Sequence, residues 1–179
     1  MVVKPIRVIG IDPSLTATGI CVTDETKKVI LSEEINTRAG DQARIPLILG
    51  KLSEIYKKYD VSFVAIEGFA FSAQGRSVFD LGELSGCIKY MLKVPMVVIP
   101  PTVVKKFATG KGNCHKDLIL LEVFKRFGEN FDTSNKADAY VLAVIGFCYF
   151  NGYEGWNLNH NQLEVLTKFK KNYENSSLF

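Results

Sequence analysis

Residues 8–19 read Val-Ile-Gly-Ile-Asp-Pro-Ser-Leu-Thr-Ala-Thr-Gly, and this stretch decides how the rest of the chain is interpreted. A short apolar run ends at Asp12, and small and hydroxyl-bearing residues then lead to a second apolar run that begins at Gly19. Short apolar runs bounded by turn signals are typical of buried strands. The stretch therefore predicts two strands joined by a tight turn, with a carboxylate where the first strand ends.

The same patterns continue along the chain. Short apolar or β-branched runs predict strands, and apolar residues at helical spacing predict helices. The predicted strands are 6–11, 19–23, 29–35, 61–66 and 94–99, and the predicted helices are 45–59, 78–92, 102–108, 116–127, 135–149 and 163–173. Three strands come first, and strands then alternate with helices. This order favours an α/β protein with a mixed sheet and helices on both faces.

Composition limits the classes of protein that need to be considered. The 179 residues are 47% hydrophobic and 23% charged, which excludes a wholly disordered chain and indicates one globular unit. The four cysteines form no CxxC pair, so we expect neither a disulfide framework nor a structural zinc site. We expect no membrane span and no signal peptide, and therefore a cytoplasmic protein, which lies at the nucleoid or, for a viral protein, in the host cytoplasm.

Charge is uneven although its sum is only +3. Residues 101–126 contain six lysine and arginine side chains and two acidic ones. Such a basic region on a nearly neutral body favours a polyanionic partner. The alternative is an ordinary solvated helix face.

Three carboxylates occupy positions where a charge is costly. Asp12 and Glu67 each end a predicted buried strand, and Asp138 lies within an apolar helix. Clustered carboxylates repel one another, and a divalent cation removes that conflict. Oxygen ligands without His or Cys favour Mg²⁺ or Mn²⁺. The alternatives are separate roles, with Asp12 as a turn residue, Glu67 as a loop acid and Asp138 as a partner of Lys136.

Four segments, in this order, resemble the RuvC-type Holliday junction resolvases of the RNase H-like superfamily. They are Gly-Ile-Asp-Pro-Ser-Leu-Thr-Ala-Thr-Gly at 10–19, Val-Ala-Ile-Glu-Gly-Phe at 64–69, Pro-Thr-Val-Val-Lys at 101–105 with Thr-Gly-Lys-Gly-Asn-Cys-His-Lys at 109–116, and Asn-Lys-Ala-Asp-Ala-Tyr at 135–140. The resemblance implies an RNase H-like fold, with a five-stranded mixed sheet flanked by helices on both faces. Residues 1–155 would form the nuclease domain, and 156–179 would be a helical extension of it.

The resemblance also implies a metal site. Asp12, Glu67 and Asp138 match three of the family's four ligand positions, and Asn135 stands at the fourth, where Asp or His is usual. The implied cofactor is Mg²⁺, with Mn²⁺ as a substitute because both ions accept oxygen ligands, and with two ions in each site. Lys116 matches a family lysine that faces the scissile phosphate, and it completes the expected catalytic set.

Further residues are expected at a DNA surface. Lys105, Lys111 and Lys116 would contact phosphates. Phe69 and Phe71 would stack on bases near the junction, with the alternative that they belong to the core. Gln74 and Arg76 follow in the same loop. The helix at 79–92 matches the family's dimer helix, so we expect a homodimer.

These expectations combine into one leading function and several alternatives. The leading one is a metal-dependent endonuclease that resolves four-way DNA junctions by paired symmetric nicks and leaves 5′-phosphate ends. A broader nuclease acting on flaps, forks and three-way junctions is the first alternative, a breadth toward which viral relatives tend. The others are a junction-binding protein that does not cleave and an actin- or hexokinase-like ATPase, for which the chain is too short and lacks a second phosphate loop.

Overall fold

Five strands and six helices form in residues 4–38, 41–68, 76–113 and 115–176, which are the residues that the computed structural model describes. The strands are β1 (Val8–Asp12), β2 (Ala17–Thr23), β3 (Val29–Asn36), β4 (Phe63–Glu67) and β5 (Met96–Ile99). The helices are α1 (Asp41–Lys58), α2 (Arg76–Met91), α3 (Pro101–Thr109), α4 (Lys116–Phe127), α5 (Ser134–Asn151) and α6 (His160–Ser176). Each of these elements overlaps a predicted segment.

The strands form one mixed sheet in the order β3-β2-β1-β4-β5. The neighbours β1 and β2 are antiparallel, as are β2 and β3, whereas β4 is parallel to both β1 and β5. The expected α/β class and five-stranded mixed sheet are confirmed.

Helix ends follow local chemistry that the apolar periodicity alone does not show. Helix α6 begins three residues before the predicted start, because Asn159 and Gln162 cap it reciprocally. The backbone N–H of Asn159 donates to Gln162 Oε1 and that of Gln162 donates to Asn159 Oδ1, both at 3.0 Å. This arrangement satisfies N–H groups that a helix start would otherwise leave unpaired. Helix α3 begins at Pro101, where proline needs no N–H partner.

Alternating side chains of β1 face two separate cores, because successive residues of a strand point to opposite sides. Ile9 and Ile11 pack in a cluster that includes residues of α1 and α2, such as Leu52 and Leu84. Val8 packs on the other side with Ala143 of α5. The sheet is therefore buried on both faces, and its end residues point toward one helix layer or the other.

Helix α5 lies unusually close to the sheet because two glycines leave it room. A Cβ atom at Gly10 would be 1.9 Å from the carbonyl oxygen of Ala139, and one at Gly19 would be 2.2 Å from that of Asn135. These two glycines are the first and last residues of the segment 10–19. Because neither glycine has a side chain, the first turns of α5 can lie directly over the ends of β1 and β2.

Helix α6 packs on the same body as the rest of the chain. Val165, Leu166 and Phe169 are buried and join the core cluster that contains Val104 and Phe107 of α3. This packing agrees with an extension of one domain, while the boundary at residue 155 stays a prediction. In the described part of the chain, no helix is both long enough and apolar enough to cross a membrane.

Candidate active site

The ends of β1 and β4 bring Asp12 and Glu67 side by side. The two strands are parallel, with Ile11 opposite Ile66, so the next residue of each strand lies at the same edge. Asp12 is on the face of Gly10, and Glu67 is on the face of Ala65, which packs in the cluster that includes α5. The two side chains are hydrogen-bonded to each other.

Helix α5 adds the third carboxylate. The helix is capped by Thr133, whose side chain accepts a hydrogen bond from the backbone N–H of Lys136. Asp138 then falls in the second turn, close enough to Glu67 to affect its ionisation. The ammonium of Lys136 instead lies 2.9 Å from a carboxylate oxygen of Asp132. Lys136 therefore has Asp132 as an ion-pair partner one turn earlier on the chain.

Burial and like charge act together on Glu67. Burial, followed by the charges of Asp12 and Asp138 and the hydrogen bond that the protonated Glu67 donates to Asp12, raises the pKa of the Glu67 carboxyl to about 9. The charge of Lys105 on α3 acts in the opposite direction and lowers it. At neutral pH the cluster therefore keeps a proton that an isolated glutamate would lose.

The donor set fits a hard divalent cation. Carboxylate oxygens without His or Cys are the ligands of Mg²⁺ and Mn²⁺, and a cation would relieve the repulsion that raises the Glu67 pKa. In residues 4–38, 41–68, 76–113 and 115–176, no three His, Cys, Asp or Glu side chains already have the arrangement of a formed metal site. Because the raised pKa of Glu67 favours its protonated form, a cation that binds the cluster would compete with that proton.

Asn135 lies one helical turn before Asp138, and its side chain is held on the β2–β3 side. Its amide nitrogen Nδ2 donates to the Ala17 carbonyl oxygen at 3.1 Å and to Glu34 Oε2 at 3.0 Å. Glu34 is a residue that the sequence reasoning did not single out. Its position follows from the pairing of β2 with β3, in which Glu34 lies opposite Gly19.

The predicted DNA residues are described in part. Lys105 is half-buried beside the carboxylates, and Lys111 is exposed just after α3. The Thr109 hydroxyl fixes that turn, since it accepts a hydrogen bond from the Lys111 N–H at 3.1 Å. Phe69, Phe71 and Gln74 lie outside the described residues. Arg76 and Lys116 begin α2 and α4, and their side chains are not described.

The predicted dimer helix, α2, has an uncovered apolar side. The side chains of Phe79 and Tyr90 are each 79% exposed. No other large hydrophobic residue in the described part of the chain is as exposed. A Cβ atom at Gly82 or Gly86 would meet no heavy atom within 4 Å. Large exposed apolar side chains beside small residues are what a second helix needs for close packing.

The strand order, with carboxylates at the ends of β1 and β4 beneath α5, defines an α/β protein of the RNase H-like class. Comparison with known proteins takes this further. The family model described as Crossover junction endodeoxyribonuclease RuvC matches residues 8–146. The chain belongs to the RuvC family of crossover junction endodeoxyribonucleases. The predicted family and enzyme class are confirmed.

Individual relatives agree with this assignment. The chain is 29% identical over 150 residues to the RuvC endodeoxyribonuclease of Prochlorococcus marinus strain NATL2A. This match covers 78% of the chain and 97% of the relative. It is 26% identical over 155 residues to that of Carboxydothermus hydrogenoformans, with 82% and 98% covered. A structure of Thermus thermophilus RuvC in complex with Holliday junction substrate matches with a TM-score of 0.66 and 25% identity, covering 78% of this chain and 91% of that one.

Proposed function

We propose that this protein is a metal-dependent, structure-selective DNA endonuclease that resolves four-way junctions. The observation that carries the proposal is the meeting of Asp12, Glu67 and Asp138 at one edge of the sheet. Further support comes from the family match over residues 8–146 and from the related Thermus thermophilus RuvC, whose structure contains a Holliday junction substrate.

Four residues would hold the cations. Asp12, Glu67 and Asp138 supply carboxylate oxygens, and Asn135 supplies the oxygen of its amide. Mg²⁺ is the proposed metal, with Mn²⁺ as its replacement and two ions in each site. When bound, these ions supply positive charge that stabilises the attacking and leaving oxygens of phosphodiester hydrolysis.

The lysines act on the phosphate rather than on the cations. Lys105 lies close enough to Glu67 to lower its pKa, so its charge already acts within the carboxylate cluster. A positive charge placed there attracts the scissile phosphate and stabilises negative charge that develops on its oxygens. Lys116 would act in the same way from the start of α4. Lys111, exposed after α3, would bind backbone phosphates away from the reacting atoms.

A homodimer through α2 would give paired nicks. Phe79 and Tyr90 on one protomer would be covered by the same helix of its partner, because a two-fold interface uses one patch on both subunits. The two active sites would then be related by the same two-fold axis as the strands of a four-way junction. Phe69, Phe71, Gln74 and Arg76 remain the residues that we propose to contact the junction next to each site.

The test is cleavage of a panel of labelled DNA substrates. An immobile four-way junction, a three-way junction, a fork, a flap and a linear duplex are incubated with the protein in Mg²⁺, Mn²⁺ or EDTA. We expect paired, symmetric nicks with 5′-phosphate ends on the four-way junction, none in EDTA and none in the duplex. Equal cleavage of all branched substrates would favour the broader nuclease. Tight junction binding without cleavage in either metal would make the protein a junction binder and refute the proposal.

A further inference from the structure

A fourth acidic side chain lies in line with the carboxylate cluster. Cross-strand pairing places Glu34 of β3 opposite Gly19 of β2, and Gly19 opposite Asp12 of β1. Directly paired residues of neighbouring strands share one face of a sheet, so all of these positions lie on the face covered by α5. Gly19 has no side chain, and the backbone of Asn135 lies over it. The residue that bridges the space above Gly19 is therefore Asn135.

A β-bulge selects Glu34 for this position rather than its neighbour. Thr23 pairs with Val29, but Val22 pairs with Leu31, so one extra residue of β3 enters between them. Without that extra residue, Glu33 would lie opposite Gly19. Bulges redirect the side chains that follow them to the other face of a sheet. Glu33 consequently points away from α5, and its carboxylate lies 3.7 Å from the ammonium of Lys51 on α1.

The Asn135 amide is held in one orientation. A primary amide nitrogen carries two hydrogens, and those of Nδ2 are directed to Glu34 Oε2 and to the Ala17 carbonyl oxygen. If the amide rotated by half a turn, its oxygen Oδ1 would face these two acceptors and both hydrogen bonds would be lost. The acceptors on β2 and β3 therefore keep Nδ2 on their side and leave Oδ1 at the other end of the amide.

We propose that Glu34 is a positioning residue, which orients the Asn135 amide so that Oδ1 can serve as a ligand for a divalent cation. The inference rests on the proposed function, because that function assigns Asn135 to the metal site. Glu34 does not contact the cation in this arrangement. It acts through Asn135, as hydrogen-bond acceptors behind metal ligands commonly do.

The experiment measures Mn²⁺ binding by calorimetry on the full-length, metal-free protein, so its readout is independent of cleavage. Removal of the residue that hydrogen-bonds a metal ligand commonly lowers metal affinity about 10- to 100-fold. We expect the Mn²⁺ affinity of Glu34→Ala to fall by a factor in this range. Glu34→Gln retains an oxygen that can accept from Nδ2 and should bind Mn²⁺ more tightly than Glu34→Ala. Glu33→Ala removes the same charge from the adjacent residue of β3 and is the matched control, with wild-type affinity expected.

A second pair of variants separates positioning from a general structural effect. If Glu34 acts only through Asn135, then Glu34→Ala should cause no further loss of Mn²⁺ affinity when Asn135 is already alanine. Melting curves of the metal-free variants establish that each is folded at the temperature of the titration.

Three results with the Glu34 variants would overturn the proposal. They are wild-type affinity in Glu34→Ala, equal losses in Glu34→Gln and Glu34→Ala, or a full additional loss in the Asn135→Ala background. A wild-type protein that binds no Mn²⁺ also overturns it. A protein that binds Mn²⁺ but cuts no branched DNA refutes the proposed function instead, and the comparison of Glu34 variants still decides the role of Glu34.

Discussion

Replacement of Gly10 by alanine should move α5 away from β1 and disable the active site while the sheet itself still forms. The added Cβ would lie 1.9 Å from the Ala139 carbonyl oxygen and 2.6 Å from the Ala143 backbone nitrogen. Both neighbours are backbone atoms of α5, so no side chain can rotate to make room. Real Cβ contacts are essentially never shorter than 3.0 Å. The backbone of α5 at Ala139 must therefore move away from β1 by about 1.1 Å.

The displacement has a calculable cost. Overpacking of this kind costs about 1–3 kcal/mol, and in a protein of this size 1 kcal/mol lowers the Tm by about 2–4 °C. We therefore expect the Gly10→Ala variant to melt about 2–12 °C below the wild type. Asp138 lies on the same turn of α5 and would move relative to Asp12. Because a misplacement of about 1 Å can cost about 100-fold in rate, junction cleavage should fall by about that factor.

The assay combines thermal melting with single-turnover cleavage of a labelled four-way junction. Gly50→Ala on α1 is the matched control, because a Cβ there meets nothing within 4 Å. Alanine is the better helix former, so this variant should melt at or above the wild-type temperature, with a gain of about 0.5–1 kcal/mol, and cleave normally. If Gly10→Ala melts and cleaves like Gly50→Ala, then close packing of α5 on β1 does not position the site.

Three further predictions test the electrostatics and the assembly. Lys105→Ala should lower the single-turnover cleavage rate about 100-fold or more, because it removes a positive charge from the carboxylate cluster, and should affect junction binding much less. In EDTA, Glu67→Gln should melt higher than the wild type at pH 8 and differ little at pH 5. The Glu67 pKa rises from 4.5 to about 9 on folding, so its contribution to stability is complete below pH 4.5 and is lost as the pH rises toward 9. Phe79→Ser should shift the protein from dimer to monomer in light scattering and replace paired nicks by single ones.

Each of these predictions has a control and a contradicting result. Lys106→Ala removes the neighbouring charge, which lies 4.0 Å from Glu164, and should leave the rate unchanged. Equal rates in the two lysine variants would exclude a role for Lys105. A Tm difference between Glu67→Gln and wild type that is the same at pH 5 and pH 8 would contradict the raised pKa. Leu121→Ser removes an exposed leucine from α4 and should remain dimeric. A dimeric Phe79→Ser variant would exclude α2 as the interface.

Much of the fold could be predicted because apolar runs and helical spacing are local signals. The strand ending at Asp12 and the helix containing Asp138 both follow from their own segments. The meeting of these acids with Glu67 was expected from the rule that strand ends collect functional groups. That expectation agrees with the structure because β1 and β4 are parallel neighbours.

Glu34 could not be found in this way. Its location depends on the pairing between β2 and β3, and a single bulge decides whether Glu33 or Glu34 faces α5. Both residues are acidic and adjacent, so the sequence offers no alternation of polar and apolar residues that distinguishes them. Two consecutive residues of a strand point to opposite faces of the sheet. The adjacent acids Glu33 and Glu34 therefore indicated that one carboxylate faces α5, but not which one.

The carboxylate cluster of Asp12, Glu67 and Asp138 is proposed to cleave DNA at junctions. The most direct test compares wild type and Asp12→Asn on one immobile four-way junction, with Mg²⁺, Mn²⁺ or EDTA, and measures binding and nicking in the same samples. Asparagine keeps the size of Asp12 but removes its charge. We predict that the variant still binds the junction yet makes no nicks, whereas the wild type makes metal-dependent paired nicks. Nicking by Asp12→Asn at the wild-type rate would contradict the assignment of the active site.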